Sequence, residues 1–316
     1  MEIIANIVLP VFGLIGLGYA VAWIRLLPEG TDAGLSEFSF TIGIPVLLFR
    51  TVVAADFSHG SPWLIWASYF PVLALVWVAG TLVMRRLFGR DARAGLVGGV
   101  SASYSNALLI GLPLVLIAYG DVGGSAMALL LAVHLAVMMV ASAVLIERAS
   151  VADQLKEHEA GVAVLLRSIA RNLVSNPIFI AIIAGNLWNA TGLEMPHLAS
   201  TLIDRLADVA ATIALFAMGM SLQKFGVRGN IVPALVLSVL KLAVMPALVF
   251  VVARWLLPLP PVWGKAMVLA AACPTGVNAY LIAARFKMGE GLASNAIIIT
   301  TALAVATVSF WLHVLG

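Results

Sequence analysis

A chain of 316 residues that is 62% hydrophobic and only 10% charged carries more apolar surface than one soluble core of that size can bury, which excludes an ordinary globular domain. Its formal net charge of +3 matches the cytoplasmic Lys/Arg bias of polytopic membrane proteins and calls for no nucleic acid. A single cysteine, Cys273, excludes an intramolecular disulfide and any thiolate metal site needing two such ligands.

Runs of about 20 apolar residues, the length that crosses a bilayer, predict ten spanning helices. In the first half they are Ile3 to Ile24, Leu35 to Ala54, Trp63 to Phe88, Ala94 to Tyr119 and Gly124 to Ile146. The second half adds Leu173 to Thr191, Ala199 to Leu222, Ile231 to Leu257, Lys265 to Phe286 and Leu292 to Leu315. The first run starts with Glu2 rather than a basic segment and has no small-residue cleavage site, so it reads as a helix and not a signal peptide. Thirteen lysines and arginines follow the odd-numbered helices, whereas only Arg254 and Lys265 follow even-numbered ones, beside helix ends. Short cytoplasmic loops collect these residues, so both termini are expected outside the plasma membrane, the inner membrane of a bacterium.

Pro10, Gly18 and Pro28 have counterparts in Pro177, Gly185 and Pro196 at spacings of 167 to 168 residues. This predicts a five-helix repeat over 1–146 and 173–316, joined by a cytoplasmic loop at 147–172. Because five is odd, the second copy enters from the opposite face, which inverts the repeats. The loop mixes Asp153, Lys156, Glu157 and Glu159 with an apolar run; it reads as a connector, with a surface amphipathic helix as the other reading.

Helices four and nine are each interrupted. Ser101 to Pro113 (SASYSNALLIGLP) and Ala270 to Tyr280 (AAACPTGVNAY) place polar and helix-breaking residues inside apolar runs. Irregular backbone at that depth survives only inside protein or beside a watery cavity. Paired interruptions in two halves point to the substrate site of a secondary transporter. Gly111, Pro113 and Pro274 are assigned to making the breaks. Asn106, with two amide donors and an acceptor, is the first choice for a carboxylate contact, beside helix N-terminal N–H groups that favour anions. Thr275, Gly276 and Asn278 match it on helix nine. Ser103 and Ser105 also belong to the candidate set, although serines in such helices often bond the carbonyl four residues back.

Lys241, roughly ten residues into helix eight, and Asp208 on helix seven are expected at similar mid-membrane depth, at about 1.5 Å per residue. Intramembrane ionisable groups pair or mark an ion or substrate route. The two either pair with each other or serve coupling, Lys241 standing in for a cation or attracting an anion. Asp204, Arg205 and Arg50 fall within snorkelling reach of the outer interface. His134 reads as a hydrogen-bonded packing residue.

These motifs resemble the auxin efflux carrier family, which includes plant PIN-type auxin carriers and bacterial permeases proposed for malonate, malate and similar acids. Asn106 to Pro113 matches the family's fourth-helix pattern, and Pro274, Thr275, Gly276 and Val277 match its ninth-helix pattern. Ile44-Pro45 and Lys241 with Pro246 extend the likeness along the chain. The resemblance implies an all-α fold of ten helices, with helices one, two, six and seven as scaffold. Helices three to five and eight to ten form the transport unit, whose broken helices cross at mid-membrane. It also implies elevator-type alternating access, a small carboxylate substrate, no cofactor or metal, and a homodimer through scaffold helices. Ser105 stands where PIN-type carriers have proline, and the inter-repeat loop is short. Both departures favour a small-acid permease over an auxin carrier. The driving ion, H+ or Na+, stays open. A sodium-coupled bile-acid-type symporter shares the crossed-helix plan and is the nearest alternative. A receptor or intramembrane enzyme finds no supporting motif.

Overall fold

The computed structural model describes residues 4–56, 60–152, 167, 171, 174–225, 229–285 and 287–316, and its regular elements are helices. In chain order they are α1 (Asn6–Trp23), α2 (Thr31–Val53), α3 (Pro62–Leu87), α4 (Ala92–Ser103), α5 (Ala107–Ala149) and α6 (Pro177–Thr191). There follow α7 (His197–Leu222), α8 (Ile231–Leu256), α9 (Pro261–Ala272), α10 (Asn278–Arg285) and α11 (Glu290–Leu315). Among the described residues seven of these, α1, α2, α3, α5, α7, α8 and α11, are long and apolar enough to cross a membrane, and α6 and α9 are shorter apolar helices. Most of the loop at 147–172, with its amphipathic reading, lies outside the described residues.

Local chemistry explains where the helices begin and bend. Pro62, Pro177 and Pro261 open their helices, where a missing N–H is no loss. Asp91 and Asn176 cap α4 and α6, accepting from the backbone N–H of Ala94 at 2.7 Å and of Ile178 at 2.9 Å. Wide π-type turns occupy Ile4–Val8, Ser39–Gly43, Ala107–Gly111, Leu240–Val244 and Val252–Leu256. Each ends two residues before a proline: Pro10, Pro45, Pro113, Pro246 and Pro258. A proline lacks an N–H and crowds the carbonyl four residues back, and an i→i+5 turn relieves that crowding. Within α5, Gly120 takes φ 58° and ψ −152°, which ends one helical rod and starts the next.

Packing then sorts the helices. α1 lies against α7, α2 against α6 and α7, α3 against α4, α5 against α9, and α8 against α9 and α11. The α1–α7 contact is close enough to need glycine, since a Cβ on Gly18 would stand 2.1 Å from the Phe216 carbonyl oxygen. Large apolar side chains such as Leu17, Leu75, Leu187 and Leu198 project from the bundle, the surface a membrane protein turns to hydrocarbon.

Candidate functional site

α4 stops at Ser103 and α5 starts at Ala107, which leaves Tyr104, Ser105 and Asn106 outside any helix. A second interruption, Cys273 to Val277, separates α9 from α10. Pro274 accounts for the latter, because the residue before a proline avoids helical geometry, and Cys273 is extended at φ −59° and ψ 149°. The two segments run antiparallel around Ser105 and Thr275. Asn106 N–H donates to the Pro274 carbonyl, and Gly276 N–H to the Tyr104 carbonyl, both at 2.8 Å. Each break thereby pairs backbone groups that the other leaves without helical partners. A Cβ on Gly276 would sit 2.8 Å from Tyr104 Cδ1 and 3.2 Å from the Ser105 carbonyl oxygen, so glycine is what permits the approach.

The placement of Gly111 and Pro113 corrects the expectation that they make the first break. They lie beyond it, inside α5, where Pro113 is accommodated by the wide turn Ala107–Gly111. Asn106 starts that turn, its Oδ1 accepting from Leu109 N–H at 3.3 Å. Among the described residues its Nδ2 meets only the Met218 sulfur of α7, at 3.2 Å, and a thioether is a weak acceptor. Asn106 is therefore a helix cap with an under-used amide donor, buried where the break meets α7.

The other polar side chains are more fully engaged. Ser103 and Ser101 donate to the Gly99 and Val97 carbonyls at 2.9 Å, four residues back, so Ser103 spends its proton on its own helix. Ser105 Oγ accepts from Tyr69 Oη at 2.9 Å. Thr275 donates its hydroxyl to the Ser101 carbonyl at 2.7 Å, while its N–H donates to Thr300 Oγ1 at 3.0 Å. Asn278, half-buried, donates through Nδ2 to Tyr104 Oη at 2.8 Å. Tyr69, Tyr104, Met218 and Thr300 were not singled out from sequence. Only Tyr104 carried a signal, by lying within the interrupted stretch. His134 packs with ring centroids 5.7 Å from Tyr69 and 5.1 Å from Tyr104. Its Nε2 has no hydrogen-bond partner among the described residues, where a bonded packing histidine was expected.

Lys241 and Asp208 do not meet. Lys241 is fully buried and donates to the Ala271 carbonyl at 2.5 Å, with Met245 Sδ at 3.6 Å. In an unbroken helix that carbonyl would take the N–H of Thr275, which bonds Thr300 instead, so the ammonium caps the negative end of α9. Asp208 turns the other way, accepting from Arg50 of α2 at 2.6 Å, with Asp204 at 3.5 Å from the same nitrogen. Similar depth along two helices did not imply a shared side. Among the described residues no group of three or more His, Cys, Asp or Glu is placed to hold a metal ion.

The crossing thus offers amide and hydroxyl donors and a buried cation, with Lys241 paired to no carboxylate among the described residues, an arrangement suited to a small anion. Comparison with known proteins agrees with a transport role. The family model described as "Membrane transport protein" matches residues 3–312. A proposed malonate transporter of Rhizobium meliloti is 30% identical, covering 100% of this chain and 97% of its own. Auxin efflux carrier component 8 of Arabidopsis thaliana is 22% identical, over 96% of this chain and 95% of its own. An uncharacterized transporter of Methanothermobacter thermautotrophicus is 23% identical, over 98% and 97% respectively.

Proposed function

The chain belongs to the membrane transport protein family, and from that premise we propose that it is a secondary transporter moving a small carboxylate across the membrane by elevator-type alternating access. The observation that carries this reading is the meeting of the two interruptions around Ser105 and Thr275, with Asn106 and Asn278 just beyond it. A carboxylate approaching from the α7 side displaces the Met218 sulfur and takes the Asn106 amide donor, an exchange of a weak acceptor for a charged one. The second Asn278 amide hydrogen and the first N–H groups of α5 complete the recognition, and Gly276 holds the close approach that positions them. Lys241 adds positive potential behind the crossing without needing a coupling cation there. Ser103, with its hydroxyl committed to Gly99, is left with a supporting role.

We further infer ten crossings as two inverted repeats. α4 with the first rod of α5 makes one crossing, the second rod of α5 another, and α9 with α10 a third. Symmetry in the packing supports this: Gly18 of α1 touches α7, and Gly185 of α6 is likewise closely packed on α2, where a Cβ would lie 2.9 Å from Val52 Cβ and 3.1 Å from the Phe49 carbonyl oxygen. Helices α1, α2, α6 and α7 then form the scaffold, through which copies pair as a homodimer, and the rest form the moving unit. Malonate and malate are the first substrates to try, given the Rhizobium relative's name. The test is uptake into proteoliposomes of malonate, malate, lactate, indole acetate and taurocholate, with sodium, proton and potential gradients imposed separately. Saturable uptake of a small dicarboxylate is expected. Taurocholate uptake that needs sodium, with none of the small acids, would replace this reading by the bile-acid-type alternative.

A further inference from the structure

A second basic site lies away from the crossing, on the membrane face where α8 and α11 end and α9 begins. There a cavity of about 430 Å³ is walled by Phe250, Leu259, Val268 and Val314 and carries Arg254 and Lys265 at its edge, with no acidic side chain in its lining. Arg254 has no hydrogen-bond or ion-pair partner among the described residues. Lys265 donates to a main-chain oxygen of Gly316 at 2.8 Å and stands 5.7 Å from the centre of the Tyr119 ring, and an ammonium has three N–H donors to share among partners. Exposed Trp255 stands with its ring centroid 5.6 Å from that of Phe250 in the cavity wall, and tryptophan is a residue that sits at headgroup level. These two cations are also the exceptions to the bias that puts thirteen basic residues at the other face, so a local reason for them is required.

We propose that this cavity binds an anionic phospholipid, its phosphate between Arg254 and Lys265 and an acyl chain along Phe250, Leu259 and Val268. The apolar walls select a lipid over a free anion, because a free phosphate would gain only the two charges and leave the hydrocarbon surface unfilled. The site anchors the end of the moving unit to one leaflet. It stands independently of which substrate the crossing carries.

The experiment titrates purified protein in detergent with short-chain phosphatidylglycerol, short-chain phosphatidylcholine, glycerol phosphate and inorganic phosphate. Phosphatidylglycerol is expected to bind tightest, and the Arg254→Gln/Lys265→Gln pair to weaken it about thirtyfold. Arg254→Gln alone, which breaks no internal contact and so should fold, is expected to weaken it about fivefold. Arg205→Gln, a cation outside the cavity, should leave binding unchanged. Equal binding of phosphatidylcholine, or unchanged affinity in the Arg254→Gln protein, would overturn the site. Equal binding of glycerol phosphate or inorganic phosphate would overturn the lipid assignment.

Discussion

The two interruptions look alike in outline but are held in different ways. At Cys273 to Val277 the chain encodes its own break, since Pro274 keeps Cys273 extended, and the ends are tied to Ser101, Thr300 and, through Ala271, Lys241. At Tyr104 to Asn106 no proline is present. That segment stays open because Tyr69 bonds Ser105 and because the other break supplies Pro274 O and Gly276 N–H. One break is therefore a fixed frame and the other a strand laid on it, with one amide donor facing α7 almost unused. On the proposed reading, the rigid side defines the geometry of the ligand site and the other side offers it the unspent hydrogen bond.

The contrast is broken most severely at Gly276. Gly276→Ala places a methyl against the Tyr104 ring and the Ser105 carbonyl, neither of which can swing aside, and is expected to cost about 1–3 kcal/mol or more and to abolish transport. Gly111→Ala, whose methyl meets the flexible end of Met127 at 3.1 Å and Cys273 Sγ at 3.3 Å, should be tolerated. Thermal unfolding in detergent alongside uptake compares the two.

Next in size is Thr275→Val, which keeps the shape but strands the buried Ser101 carbonyl, at about 1–3 kcal/mol. It should lower thermal stability while substrate affinity is retained, because the Thr275 hydroxyl is spent on the frame. Loss of affinity without loss of stability would move Thr275 to the ligand.

Tyr69→Phe removes the bond to Ser105, worth about 1 kcal/mol. Since the first break relies on contacts, this variant should raise hydrogen exchange at Asn106 and Gly276, whose N–H groups bond across the two segments, while leaving Thr275, bonded to Thr300, protected. Equal loosening at Thr275 would remove the distinction drawn between the two breaks.

The smallest effect belongs to Asp208→Asn. The variant leaves Arg50 its second carboxylate, Asp204, at 3.5 Å from the same nitrogen that Asp208 meets at 2.6 Å, so uptake should be retained with its ion dependence unchanged. A variant that lost its ion dependence would return Asp208 to a coupling role.

How much of this was legible follows from where each signal resides. Pro274 and the polar run around Asn106 announced both interruptions, because such residues are costly in a lipid-exposed span. The spacing of Gly18 and Gly185 is the basis for expecting a repeat, and what the structure adds is that each sits at a close helix contact. The contributions of Tyr69, Met218 and Thr300 were not legible, since an aromatic or methionine on a distant apolar helix reads as packing until the helices are assembled. Lys241 and Asp208 were matched in depth but not in direction, which helix spacing alone leaves free when partner helices are unknown. Gly111 and Pro113 were read as the break itself. The wide turn they accompany shows that a proline can be absorbed by a helix without ending it.

The most direct test of the account is the affinity of purified Asn106→Ala protein for malonate, measured beside Val277→Ala and with thermal stability recorded for both. The account predicts that Asn106→Ala loses a side-chain donor to a charged acceptor, worth about 1.5 to 3 kcal/mol, or roughly tenfold to a hundredfold in affinity. Val277→Ala, which removes no hydrogen-bonding atom, should change affinity far less, and both proteins should stay folded. If Asn106→Ala binds malonate normally but unfolds at lower temperature, Asn106 is a helix cap alone and the claim that the first break presents its amide to substrate is contradicted.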